Sequence, residues 1–188
     1  MEKLLFLNDF FCNNRLFDKY FFFLKNYFND VSYNENNLEN YDFIICFGGG
    51  CLLALDKLSL LKNKIIILIT PYLDFDLFFD RNSDIDKLIS LYSEKTGIDK
   101  ECLNKNLKFD NIKPVFLNEQ IVKDNKIYII YGDSNKIIPL DFCLKIGMIL
   151  HGVSFHLIEN AGYAPFIDNY TTFRKILEDV IIDENIGR

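Results

Sequence analysis

The sequence predicts an α/β protein built on a mostly parallel sheet, and three observations carry that prediction. Lys64 to Thr70 (KIIILIT) and Lys126 to Tyr131 (KIYIIY) are continuous apolar runs without polar alternation, as in strands covered on both faces. Such runs alternate along the chain with segments of helical spacing. At 188 residues and 49% hydrophobic composition, the chain has enough apolar surface for one core, and no internal repeat or linker divides it.

In chain order, Lys3 to Leu7 reads as a strand that stops at the polar pair Asn8-Asp9. Leu16, Tyr20, Phe23, Leu24 and Tyr27 recur at helical spacing, so a helix follows. Ser32 to Asn40 is an Asn/Glu-rich surface loop, whose start holds a short strand at Val31 to Tyr33. Asp42 to Phe47 is a buried strand and Leu52 to Leu61 a helix, joined by Gly48-Gly49-Gly50. Pro71 ends the strand over 64–70. Residues 74–113 carry helical patterns with Leu77, Phe78, Ile85, Leu88, Ile89 and Tyr92 as the apolar stripe, and read as a helical insert within a single domain spanning 1–188. The strand over 126–131 leads into the turn Gly132 to Lys136. A helix over 140–150, a strand over 153–158 and a helix over 170–182 complete the pattern.

The composition excludes several functions. A formal charge of -6 and a pI near 5.0 argue against nucleic acid, whose phosphates call for concentrated Lys and Arg. The five cysteines (Cys12, Cys46, Cys51, Cys102, Cys143) form no CxxC or Cys/His pattern, so neither a disulfide framework nor a metal site is indicated. Reduced thiols fit a cytoplasmic location. The N-terminus lacks signal-peptide character, and the patch Tyr20 to Leu24 is too short to span a bilayer.

Three loops, each following a predicted strand, carry a family resemblance. Cys46-Phe47-Gly48-Gly49-Gly50-Cys51 resembles the G-x-S-x-G nucleophile elbow of the α/β-hydrolase family. Gly132-Asp133-Ser134-Asn135-Lys136-Ile137-Ile138-Pro139 resembles the family's acid-bearing G-x-x-D-x-(I/V)-(I/V)-P turn. Asn160-Ala161-Gly162-Tyr163-Ala164-Pro165-Phe166 resembles its G-H-x-P-F/L loop, which carries the histidine. Leu5 to Phe10 sits where the family has a strand entering the oxyanion loop, so the likeness covers nearly the whole chain from that fold's third strand onward. The A-P-F-I run is also similar to small carboxylesterases of the pimeloyl-carrier-protein methyl ester esterase type, from biotin synthesis. The resemblance implies a three-layer α/β-hydrolase-like fold with a short helical insert, carboxylic ester hydrolase chemistry and no cofactor.

The same alignment withholds the chemistry. Acyl transfer needs a hydroxyl or thiol nucleophile, an imidazole base and a carboxylate that orients it. The resemblance places Gly48 at the nucleophile, Asn135 at the acid and Tyr163 at the base. Gly48 has no side chain, Asn135 no charge, and a tyrosine of ordinary pKa near 10 is a poor base at neutral pH. Loss of a nucleophile or base costs roughly 10⁶ in turnover in a measured protease series, or about 8 kcal/mol of barrier. Cys51 and Asp133 are the alternative nucleophile and carboxylate. Asn8, Asp9, Phe10 and Gly49 are the expected oxyanion and pocket residues.

These residues point to a non-catalytic or impaired relative, a pseudoenzyme, that binds a small acyl or ester ligand, free or carrier-protein-bound. Two alternatives stand beside it: an active carboxylesterase using displaced residues, and an interaction protein docking through Phe21 to Phe23. No nucleic acid or membrane span is expected, and the sequence leaves the oligomeric state open.

Overall fold

The computed structural model describes residues 2–9, 14–33, 37–74, 84–101, 113–117 and 124–184. Among them six strands form one sheet: β1 (Lys3–Leu7), β2 (Asp30–Tyr33), β3 (Phe43–Phe47), β4 (Ile65–Ile69), β5 (Lys126–Gly132) and β6 (Ser154–Ile158). The order is β2-β1-β3-β4-β5-β6 and each neighbouring pair is parallel. The apolar runs are buried as their composition requires: every residue of β3 is buried, as are four of five in β1 and in β4. These strands offer both faces to side chains from flanking helices, the arrangement that parallel sheets need.

The helices are α1 (Asp18–Leu24), α2 (Gly49–Asp56), α3 (Asp84–Thr96), α4 (Leu140–Leu150), α5 (Pro165–Asp168) and α6 (Tyr170–Asp183). The stripe predicted before residue 28 is split: Asn14–Phe17 is a 3₁₀ turn, and α1 then buries Tyr20, Phe23 and Leu24. Phe22 points outward at 81% exposure, whereas Phe21 stacks on Tyr33 with ring centroids 6.4 Å apart. The helix expected over 52–61 begins earlier, at Gly49, because the chain turns directly from strand to helix. It ends at Asp56, and Leu58–Leu60 forms a separate 3₁₀ turn that buries Leu58. In the predicted insert, Leu88, Ile89 and Tyr92 of α3 are buried as its stripe requires. Leu77 and Phe78 lie outside the described residues, as do Cys12 and Cys102. Helix α5 is too short to leave a periodic signal.

The register decides where chemistry could gather. Leu7 pairs with Cys46, Cys46 with Leu68, Ile69 with Ile130, and Gly132 with Ile158, so the strands finish level at one edge. The loops after β1, β3, β4, β5 and β6 therefore open onto the same edge. The chain runs outward from β1 to β2 and returns to place β3 on the other side of β1. This is a topological switch point, where open α/β sheets form crevices.

Phe166 of α5 locks the last loop onto this edge. Its ring stacks on Phe17 at 4.6 Å and meets Phe47 edge-on at 4.9 Å, while its carbonyl accepts the Tyr20 hydroxyl at 2.6 Å. The side chain is 1% exposed. Phe166→Ala is expected to lower stability by about 3–5 kcal/mol, the usual cost of emptying a buried aromatic site; urea unfolding of the variant and the parent protein measures it.

Candidate functional site

Gly48 occupies the strand-to-helix turn with φ 51 and ψ -113, on the left-handed side that favours glycine. Its N–H donates to the Ile69 carbonyl at 3.1 Å, and its carbonyl accepts Cys51 N–H at 2.9 Å, starting α2. Gly50 serves a different need: a Cβ there would collide with the Leu7 carbonyl, so glycine is what lets α2 cross β1 closely. The three glycines thus form a tight strand-to-helix turn.

The space beside the elbow is filled by Asp9, from the loop after β1. A Cβ built at Gly48 would overlap the Asp9 carboxylate and the Tyr163 hydroxyl. Asp9 Oδ1 accepts Gly49 N–H at 2.7 Å and the Tyr72 hydroxyl at 3.2 Å, and Oδ2 accepts the Tyr163 hydroxyl. Asp9 is 2% exposed, Tyr72 0% and Tyr163 4%. Gly49 N–H follows the nucleophile position and would be an oxyanion donor in an active elbow; here a carboxylate of the same chain holds it.

Burial, followed by the nearby Asp9 charge, pushes the Tyr72 and Tyr163 hydroxyls well above the ordinary value of 10.0. Both remain protonated donors, the opposite of a base. Thr70, also fully buried, sits at φ 48 and donates its hydroxyl to the Tyr163 carbonyl at 2.8 Å. It links the end of β4 to the last loop.

The other predicted residues are dispersed. Asn135 Oδ1 accepts Ile137 N–H at 2.9 Å and Ile138 N–H at 3.3 Å, which shapes its own turn; its buried Nδ2 has no hydrogen-bond partner. Asp133 is exposed, and Oδ1 accepts Asn160 N–H at 2.8 Å, tying the β5 and β6 loops together. Cys51 is 0% exposed, and its thiol donates to the Cys46 and Ile69 carbonyls at 3.4 and 3.5 Å. Burial pushes its pKa well up, so the thiolate that a nucleophile needs is suppressed. Asn8 is buried beside Asp9, and Phe10 lies outside the described residues. Among the described residues, no group of three or more His, Cys, Asp and Glu side chains could hold a metal ion.

Next to this cluster, on the far side of Tyr163, lies a cavity of about 390 Å³. Helix α3 walls it with Leu88, Leu91, Tyr92 and Lys95, the β5 loop with Ser134, Lys136 and Ile137, and the β6 loop with Asn160, Gly162 and Tyr163. Lys95 pairs with Asp168, whose Oδ2 accepts Gly162 N–H at 2.8 Å. Sequence reasoning missed Thr70 and Tyr72; the only local signal was Pro71, which marked the end of a strand.

The comparisons with solved structures settle the fold. An esterase from Thermogutta terrifontis with malate bound superimposes with a TM-score of 0.71 at 11% identity, over 97% of this chain and 90% of that one. The chain has an α/β-hydrolase fold. An enol-lactonase from Burkholderia xenovorans gives 0.69 at 8% identity over 96% and 91% of the two chains. An epoxide hydrolase from Bacillus megaterium gives 0.64 at 12% identity over 95% and 93%. No family model matches this α/β-hydrolase-fold chain, and no curated protein does. Among the described residues, no helix is long and apolar enough to cross a membrane.

Two outcomes are expected. Gly48→Ser should destabilise by about 1–3 kcal/mol through its backbone conformation and overlap with Asp9. The loss should shrink in an Asp9→Gly background, a coupling of roughly 0.5–3 kcal/mol measurable in a double-mutant cycle by urea unfolding. In an alkaline titration followed by tyrosinate absorbance, Tyr72 and Tyr163 should stay silent while the protein is folded. Stability should fall as pH rises past 10.0, because the unfolded chain then releases protons that these folded tyrosines keep.

Proposed function

We propose that this chain is a non-catalytic α/β-hydrolase-fold protein that binds a small acyl-type ligand in the cavity between α3 and the loops after β5 and β6. The observation that carries this reading is the Asp9 carboxylate. It takes the space of a nucleophile and the N–H of an oxyanion hole together. An ester carbonyl at the elbow would find no side chain at Gly48 to attack it and the Gly49 N–H already engaged.

The cavity supports the binding half of the proposal. Its volume falls in the range typical of small-molecule sites. Leu88, Leu91 and Ile137 offer an apolar wall to a chain, while the exposed Lys136 and the Ser134 hydroxyl stand where a polar or anionic end would lie. Tyr163 closes the side toward Asp9, so a ligand meets a phenol ring where the fold's active members present a histidine.

The biotin-pathway esterase reading requires Cys51 or Asp133 to act. The burial of the Cys51 thiol and the fixed bridging role of Asp133 both speak against it. The interaction reading rests on Phe22, and one exposed aromatic is ordinary on a protein surface.

The purified protein should hydrolyse p-nitrophenyl acetate and butyrate no faster than a heat-treated control. Turnover that disappears on Cys51→Ala would replace this proposal with the esterase reading. In calorimetric titration, octanoate should bind saturably with a Kd of about 1 mM or below, and Leu91→Glu should abolish the heat. Absence of saturable binding would remove the cavity from the proposal.

A further inference from the structure

The Asp9 carboxylate is held much as a bound ligand would be. Donors come to it from three separate segments: Gly49 N–H at the start of α2 at 2.7 Å, the Tyr72 hydroxyl after β4 at 3.2 Å, and the Tyr163 hydroxyl after β6. Asp9, Tyr72 and Tyr163 are each at least nine-tenths buried, and Gly49 is buried with them. The donors divide between the two carboxylate oxygens, with Gly49 and Tyr72 on Oδ1 and Tyr163 on Oδ2. The Gly48 position leaves the room that this planar group occupies.

We propose that Gly49 N–H and the hydroxyls of Tyr72 and Tyr163 form a carboxylate-binding site whose resident ligand is the protein's own Asp9 side chain, and that a free monocarboxylate of matching size replaces it when that side chain is cut away. The site is separate from the cavity beside α3 and does not depend on a ligand there. Atom counting gives the proposal its specificity. The aspartate side chain is a methylene carrying a carboxylate, so Asp9→Gly removes the equivalent of acetate. Asp9→Ala keeps the Cβ and removes the equivalent of formate. The donors stay in place in both variants, unchanged in sequence and rooted in other segments.

A ligand that binds only the folded state raises the melting temperature with its concentration. The test is thermal melting of Asp9→Gly and Asp9→Ala in sodium acetate, formate or chloride up to 100 mM at constant ionic strength, with acetamide as the uncharged control. The expected result is a saturable rise in melting temperature of about 2–4 °C for a chain of this size, largest for acetate on Asp9→Gly and for formate on Asp9→Ala. The parent protein should not respond, and adding Tyr163→Phe to Asp9→Gly should weaken the acetate effect. Equal shifts in acetate and chloride would overturn the proposal, as would the same anion preference in both variants. If neither variant folds unaided, refolding yield replaces melting temperature: yields that follow the variant-to-anion match support the site, and equal yields in all salts overturn it.

Discussion

A carboxylate taken out of water is tolerated only where donors surround it, and Asp9 meets that condition with donors from the start of α2 and from the loops after β4 and β6. Because charge-assisted hydrogen bonds are stronger than neutral ones, these contacts fix the start of α2 and the loops after β1, β4 and β6 relative to one another. The carboxylate thus does for the sheet's carboxyl edge what the buried aromatic cluster of Phe17, Phe47 and Phe166 does just behind it. One layer is polar, the other apolar, and Tyr163 belongs to both: its hydroxyl reaches Asp9 while its ring packs 5.1 Å from Phe47.

Catalysis in an α/β-hydrolase elbow depends on keeping two things empty until substrate arrives: the face of the nucleophile and the donors of the oxyanion hole. Here the Asp9 carboxylate lies against Gly48 and accepts Gly49 N–H. Asn135 turns back on its own loop, where its Oδ1 accepts Ile137 and Ile138 N–H.

Much of the fold was legible because β-branched runs and helical spacing report burial directly. β1, α4 and the ends of β4 fall within a residue of their predicted bounds. The start of α2 was misplaced because glycine carries no helical signal, so Gly49 and Gly50 read as loop although they form the helix's first turn. At the site, motif order brought Gly48, Asn135 and Tyr163 to notice. The resemblance placed Asp9 among the oxyanion and pocket residues, but it could not show that the carboxylate itself accepts Gly49 N–H, a contact between residues 40 positions apart. Tyr72 and Thr70 were invisible for a similar reason: nothing local distinguishes a tyrosine aimed at a buried carboxylate from one filling a core.

Thr70 gives the edge a second meaning. A β-branched residue at φ 48 is an outlier that costs about 1–3 kcal/mol. Two hydrogen bonds hold it there, its N–H to Ile130 and its hydroxyl to Tyr163. Glycine at position 48 spares the elbow the clash that a side chain would bring, yet the molecule still carries tension one strand further along. The strained residue stands two positions before Tyr72, whose hydroxyl donates to Asp9, so the tension of this edge lies in the segment that fastens the end of β4 to the buried carboxylate.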